Sequence, residues 1–254
     1  MKADSGFFTL GISPNEFHLP HKRLGLPVIL LIRRVLCRAF EQLRDDQFNL
    51  AEAKEDQVTA ALLAVIENRF RQQGTVAGFN RQTYEPVVRQ AQVTNYNGTK
   101  LGKTPDLCFR LRRDQSEPYL GIPEYDGLFI ECKPVDADHP AGSKYCDDGL
   151  IRFVCGDYAW AMREGMMLAY ARDGRTIEKH LAPAMDERTA RLAIVEDLTR
   201  LDLPAAVATA FTEAVHSSKH RREFEWLCDK GQACDITIYH LWHDCSGRAS
   251  SPSR

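Results

Sequence analysis

The stretch GLFIECKPV, Gly127 to Val135, does most to limit what this chain can fold into. Its first half is an unbroken run of apolar, strand-forming residues, the mark of a strand buried in a sheet. Its second half carries Glu131 and Lys133 on either side of Cys132. Alternate residues of a strand point to the same face, so an acid and a base emerge side by side at the end of an apolar run. Charged groups are buried only when they are paired or bound to something. The stretch therefore predicts a sheet whose buried strand ends in a polar site.

The flanking segments supply helices. Residues 1–25 read as an irregular lead-in punctuated by Pro14, Pro20 and Gly25. Residues 27–46 read as a helix with Pro27 in its first turn. A second helix spans about Glu55 to Gln72, with Val58, Leu62, Val65, Ile66 and Phe70 on its apolar face and Gly74 as the stop. Thr83–Val93 reads as strand or loop, Pro105–Arg113 (PDLCFRLRR) as a strand, and 114–126 as the turn-rich connection to GLFIECKPV. Gly149–Ala171 reads as a buried helix running into a short strand, and 186–215 as mostly helical. The segment REFEW…CDITIYHLWH reads as a final pair of strands. Helices, sheet, helices and sheet in that order predict an α/β fold. We expect a helical extension over 1–50 packed on a core domain over 51–245, with a disordered tail, 246–254.

Bulk properties narrow the partners. Hydrophobic residues make up 44% of the chain, which argues against disorder. The net charge is −2, so no global positive field advertises nucleic acid; a local basic groove suffices for phosphate contacts. The apolar run Leu26–Ile32 is too short to cross a bilayer, which takes about 20 residues. The first 25 residues lack the layout of a secretory signal, so a cytoplasmic location without membrane contact is expected. The eight cysteines include no C-x-x-C. Cys228, Cys234, His243 and Cys245 match no common zinc module, so most cysteines read as core or surface thiols. No G-x-S-x-G, P-loop or G-x-G-x-x-G motif is present, so any nucleotide-driven motor belongs to another chain.

The chemistry gathers on three residues. If the strands carrying Asp106 and Glu131 pair as a hairpin, the two carboxylates meet at one end of the sheet. They repel each other unless a cation lies between them, and hard oxygen donors suit Mg²⁺ or Mn²⁺. Lys133 shares the face of Glu131, where it can orient a water and counter developing negative charge. These are the parts of metal-assisted phosphodiester hydrolysis. The bland alternative is a surface ion pair of Glu131 with Lys133, and Asp106 capping a turn.

Pro105-Asp106 followed by Glu131-Cys132-Lys133 after an apolar lead-in resembles the PD-(D/E)XK nuclease superfamily. That resemblance implies a restriction-endonuclease-like core of α-β-β-β-α-β order, a central mixed sheet flanked by helices. It implies that Asp106 and Glu131 hold the metal, that Cys132 lends its backbone carbonyl, and that Lys133 acts on the attacking water. The family often adds an acid from the preceding helix. Glu55 shares the face of Val58 and Leu62, whereas Glu67 lies about 180° from Val58 at 100° per residue and should face solvent. Glu55 is therefore the expected fourth member, with a favourable helix-dipole contact as its rival role. The resemblance further implies a nuclease acting on DNA in bacterial defence against foreign DNA. Its alternative is an inactive, nuclease-like scaffold subunit of a multi-protein defence complex; a homodimer is a further possibility. Arg152 and Tyr158 would face the nucleic acid, and Lys219, Arg221 and Arg222 would form a phosphate-contacting cluster. His216 and His220 have no further ligand to complete a metal pair and are assigned no chemistry.

Overall fold

The computed structural model describes residues 17–112, 121–203, 214–226 and 229–246. It is an α/β fold built on one seven-stranded mixed sheet. The strands are β1 (Val88–Arg89), β2 (Leu107–Phe109), β3 (Leu128–Val135), β4 (Glu164–Ala171), β5 (Ile194–Arg200), β6 (His216–His220) and β7 (Ile236–Asp244), in the order β1-β2-β3-β4-β7-β6-β5. β3, β4 and β7 run parallel at the centre, and antiparallel pairs close both edges. No helix among the described residues is long and apolar enough to cross a membrane. The expected tail lies, beyond Ser246, outside the described residues, as do 113–120 of the connection before β3.

Helix α1 (Leu26–Asp45) begins at Gly25, whose φ of 83° a glycine adopts without strain, with Pro27 in the first turn. Its buried face joins the same apolar cluster as the sheet. Phe40 stacks on His243 of β7 at 4.0 Å between ring centroids and meets Tyr170 of β4 edge-on. Helix α2 (Glu55–Val65) packs against β1 and β3 and continues as a wider π-helical turn, Ile66–Arg71. A second π-helical segment, Ala141–Leu150, runs into the short α3 (Ile151–Val154) and lies on β3. Ile177–Leu181 and α4 (Ala182–Asp186) complete the helical layer.

Three expectations change. The run Gly149–Ala171 is not one long helix with a brief strand. The helix stops at Val154, Gly156 turns the chain at φ 72°, and all eight residues of β4 are a buried central strand. A parallel strand covered on both faces shows no alternation, so its Met, Leu and Ala content reads as helix. Within 186–215, helix extends only to Asp186; β5 follows, mostly solvent-facing at the sheet edge, where its Glu, Asp and Leu give little strand signal, and 204–213 lie outside the described residues. The antiparallel partner of ITIYHLW is HSSKH, as β6, not REFEW.

A buried polar chain ties β6 and β7 to the π-helical segment over the site. Tyr145 Oη lies 2.9 Å from His240 Nδ1, His240 Nε2 2.8 Å from Ser218 Oγ, Ser218 Oγ 2.7 Å from His220 Nε2, and His220 Nδ1 2.8 Å from the Leu192 carbonyl. The carbonyl can only accept, so His220 Nδ1 carries the proton. Burial lowers the pKa of His220 to about 4, leaving the ring neutral. Ser218 must then donate to His220, His240 to Ser218 and Tyr145 to His240. One backbone carbonyl thus sets the direction of the whole chain.

Candidate active site

The β2–β3 ladder pairs Leu107 with Ile130, and one further step of that register sets Asp106 opposite Glu131. Directly opposed residues share a face of an antiparallel pair, so the hairpin brings the two acids together as the sequence predicts. Asp106 is half-buried, and its Oδ2 accepts the N–H of Cys132 at 2.7 Å. Burial and the neighbouring charge of Glu131 push its pKa from 3.8 to about 7, with Glu55 adding in the same direction.

Glu131 lies at the centre, with 1% of its side chain exposed. Its Oε1 receives Lys133 Nζ and Arg152 Nη1, each at 2.9 Å. Its Oε2 accepts a short hydrogen bond from the Tyr158 hydroxyl. Lys133 Nζ also donates to Glu55 Oε1 at 3.0 Å, so α2 delivers its first residue to the site. Burial disfavours charge on Lys133, but Glu131 and Glu55 outweigh it and hold its pKa above the ordinary lysine value. Lys133 is therefore a permanently protonated donor. Burial and Glu131 likewise raise the Tyr158 pKa well above the usual phenol value and keep it a donor.

Gly149 places the π-helical backbone directly over the charged pair. A Cβ there would come within 2.7 Å of Met167 Cε, the movable end of a flexible side chain, and would lie in ordinary contact, at 3.5 and 3.6 Å, with Lys133 Cγ and Glu131 Cγ.

Helix phase separates Glu55 from Glu67, though not in the way expected for Glu67. Its side chain is only 16% exposed; it binds Arg71 Nε at 2.8 Å and accepts the Val87 N–H at 2.7 Å. The chain entering β1 covers that side of the helix: Arg71 reaches the Tyr84 carbonyl and Val87 donates its N–H to Glu67, so the position is closed to solvent although it faces away from Val58. Capping of α2 falls to Gln57, whose Oε1 accepts the Lys54 N–H at 2.9 Å. The Glu55 carboxylate is thus left for Lys133.

The residues expected to touch nucleic acid divide. Tyr158 is buried and turned to Glu131, not to solvent; Arg152 also binds Glu131 but keeps 38% of its side chain exposed. Their R-x₅-Y spacing gave no hint of this, because the Gly156 turn, rather than one helix face, brings both to the carboxylate. Arg222 is wholly buried. Its guanidinium donates to the carbonyls of Cys234, Ala159, Trp160 and Met162, so it cannot reach a phosphate. Lys219 pairs with Glu196 at 2.8 Å, and Arg221 is exposed; both stand by β6, three strands from β3, roughly 14 Å across the sheet. Arg222→Ala should cost about 3 kcal/mol in a urea melt by orphaning buried carbonyls, while Arg221→Ala should shift it by less than about 0.5 kcal/mol.

Glu55, Asp106 and Glu131 offer hard oxygen donors, and burial first, then the charge of Glu131, disfavour the ionised Asp106, a penalty that a divalent cation would relieve. Among the described residues no three His, Cys, Asp or Glu side chains form a metal cage. This donor set fits the sparse type of Mg²⁺ site, with one or two carboxylates completed by water and substrate oxygens. Of the four zinc candidates, Cys228 lies outside the described residues, and His243 stacks on Phe40. Comparison with family models, curated proteins and solved structures returned no match.

Proposed function

We propose that the chain is a Mg²⁺- or Mn²⁺-dependent nuclease with a restriction-endonuclease-like core, hydrolysing phosphodiester bonds of DNA. The convergence of Asp106, Glu131, Lys133 and Glu55 on one spot supports it, because residues 78 apart in sequence are joined by the Lys133–Glu55 bond. Asp106, Glu131 and the Cys132 carbonyl, with Glu55 beside them, would hold the metal, which supplies a Lewis acid for the phosphate and a more acidic water. Lys133, held protonated, orients that water and offsets charge developing on the phosphate. Tyr158 and Arg152 fix the Glu131 carboxylate. Linear, circular and single-stranded DNA, and RNA, incubated with Mg²⁺ or with EDTA provide the test. Cutting only with metal supports the proposal, and uncut substrates in every lane refute it.

One observation favours a rival. Both oxygens of Glu131 are already engaged by Lys133, Arg152 and Tyr158, as in a nuclease-like scaffold that no longer binds metal. Calorimetric titration separates the readings: in a nuclease, Mg²⁺ or Mn²⁺ binding is present in wild type and lost in Glu131→Gln, whereas the scaffold shows none.

A further inference from the structure

A hairpin spanning residues 93–103 stands beside this site. Val93 and Lys103 exchange backbone hydrogen bonds at 2.9 and 2.8 Å. The tip is held by its own side chains: Asn97 Oδ1 accepts from Thr99 Oγ1 at 2.6 Å and Asn95 Nδ2 at 2.8 Å, and Asn95 Oδ1 accepts the Lys100 N–H at 2.8 Å. The base is anchored to the core. Tyr96 stacks on Phe224 at 4.2 Å, and Trp160 Nε1 donates to the Thr94 carbonyl at 3.1 Å. An exposed element ordered this thoroughly is pre-organised for contact.

Its outward face is cationic, with one exposed apolar side chain on the returning arm. Lys100 and Lys103 both grip Asp157, at 3.0 and 2.8 Å, so one carboxylate faces two ammonium groups. Lys100 keeps 55% of its side chain exposed, and between the two lysines Leu101 is 73% exposed, the most open large apolar residue among the described residues. The hairpin is also wired to the site. Asp157 donates its N–H to the Arg152 carbonyl at 2.9 Å and directly precedes Tyr158, the donor to Glu131.

We propose that this hairpin grips the backbone of duplex DNA next to the candidate active site. Lys100 and Lys103 meet phosphates, and Leu101 presses on the sugar edges of the groove. A surplus of ammonium groups flanking an exposed aliphatic side chain complements a polyanion with apolar sugars. The element would do what Lys219, Arg221 and Arg222 were expected to do, from a position beside the carboxylates. The inference rests on the nuclease reading.

The test measures binding of a fluorescent DNA duplex by anisotropy in EDTA, across salt concentrations, with the full chain. Lys100→Gln should weaken binding roughly eightfold at about 0.1 M salt and make the log–log salt slope shallower by about 0.9, the contribution of one phosphate contact. Leu101→Asp should weaken binding further; both side chains are exposed enough to be replaced without unfolding, and unchanged melting verifies it. Lys100→Arg should keep the wild-type slope. Wild-type affinity and slope in the Lys100→Gln, Leu101→Asp double variant overturn the hairpin alone. A wild type that binds no duplex overturns this inference alone, because the nuclease reading is decided by the cleavage of single- and double-stranded substrates with Mg²⁺. A wild type that binds through the hairpin but never cuts with metal overturns only the nuclease reading.

Discussion

Lys133→Met should reduce metal-dependent DNA cleavage by about 10²- to 10³-fold, the loss typical when one charged donor aimed at the reacting group is removed. Lys133 touches both Glu131 and Glu55, with its ammonium 2.9 and 3.0 Å from their carboxylates. Methionine keeps the stem and deletes the charge. Glu131 still has Arg152 and Tyr158, so the variant should remain folded. Initial rates of plasmid nicking, set beside melting curves and metal titrations, check this. A variant that melts and binds metal normally but cuts at the wild-type rate removes Lys133 from the chemistry. Glu55→Gln should be milder, because Asp106 and Glu131 remain to hold the metal and Lys133 keeps its contact with Glu131.

Asp106→Asn should stop cleavage and yet make the protein more stable at pH 8. The folded-state pKa of Asp106 is raised from 3.8 to about 7 by burial and by Glu131. Between those two values the folded protein holds a proton that the unfolded chain has lost. The neutral carboxyl therefore contributes fully below pH 3.8, and its contribution is lost as pH rises through 7. A shift of that size is worth about 4 kcal/mol at most; for a half-exposed group we expect about 2 kcal/mol, a Tm rise of roughly 5 °C. Asparagine stays neutral at every pH, and its side-chain oxygen can still accept the Cys132 N–H. The two proteins should therefore melt together at pH 4 and part by pH 8 in EDTA. Buried neutral histidines such as His220 destabilise both proteins equally as pH falls below 6.5, because their folded pKa values are lowered, so they cancel in the comparison. Adding Mg²⁺ at pH 8 should raise the Tm of wild type and not of Asp106→Asn. An Asp106→Asn protein that melts below wild type at pH 8 contradicts the penalty that burial and Glu131 place on the ionised Asp106.

Much of this site was legible in the sequence because strand period and hairpin pairing are local rules. Glu131 and Lys133 share a face by period two, and Asp106 meets Glu131 by antiparallel register. Glu55 follows from the 3.6-residue period of a regular helix. Glu67 escaped the same logic because a helical wheel says nothing of which chain covers the far face, and the Tyr84–Val87 segment lies over it.

By itself the sequence determined the apolar strand GLFIECKPV, the helix that presents Glu55, and an acid–base pair in need of partners. Those features depend on side-chain periodicity and neighbouring residues alone. Only the tertiary structure decided that EGMMLAYA is the central strand, since burial on both faces erases the alternation that marks a strand. It alone turned Arg152 and Tyr158 onto Glu131 and buried Arg222 among carbonyls, because an arginine on paper carries the same charge whether it meets solvent or core. It alone raised the 93–103 hairpin beside the carboxylates, since the turn at Gly156 that joins them is set by packing across the sheet.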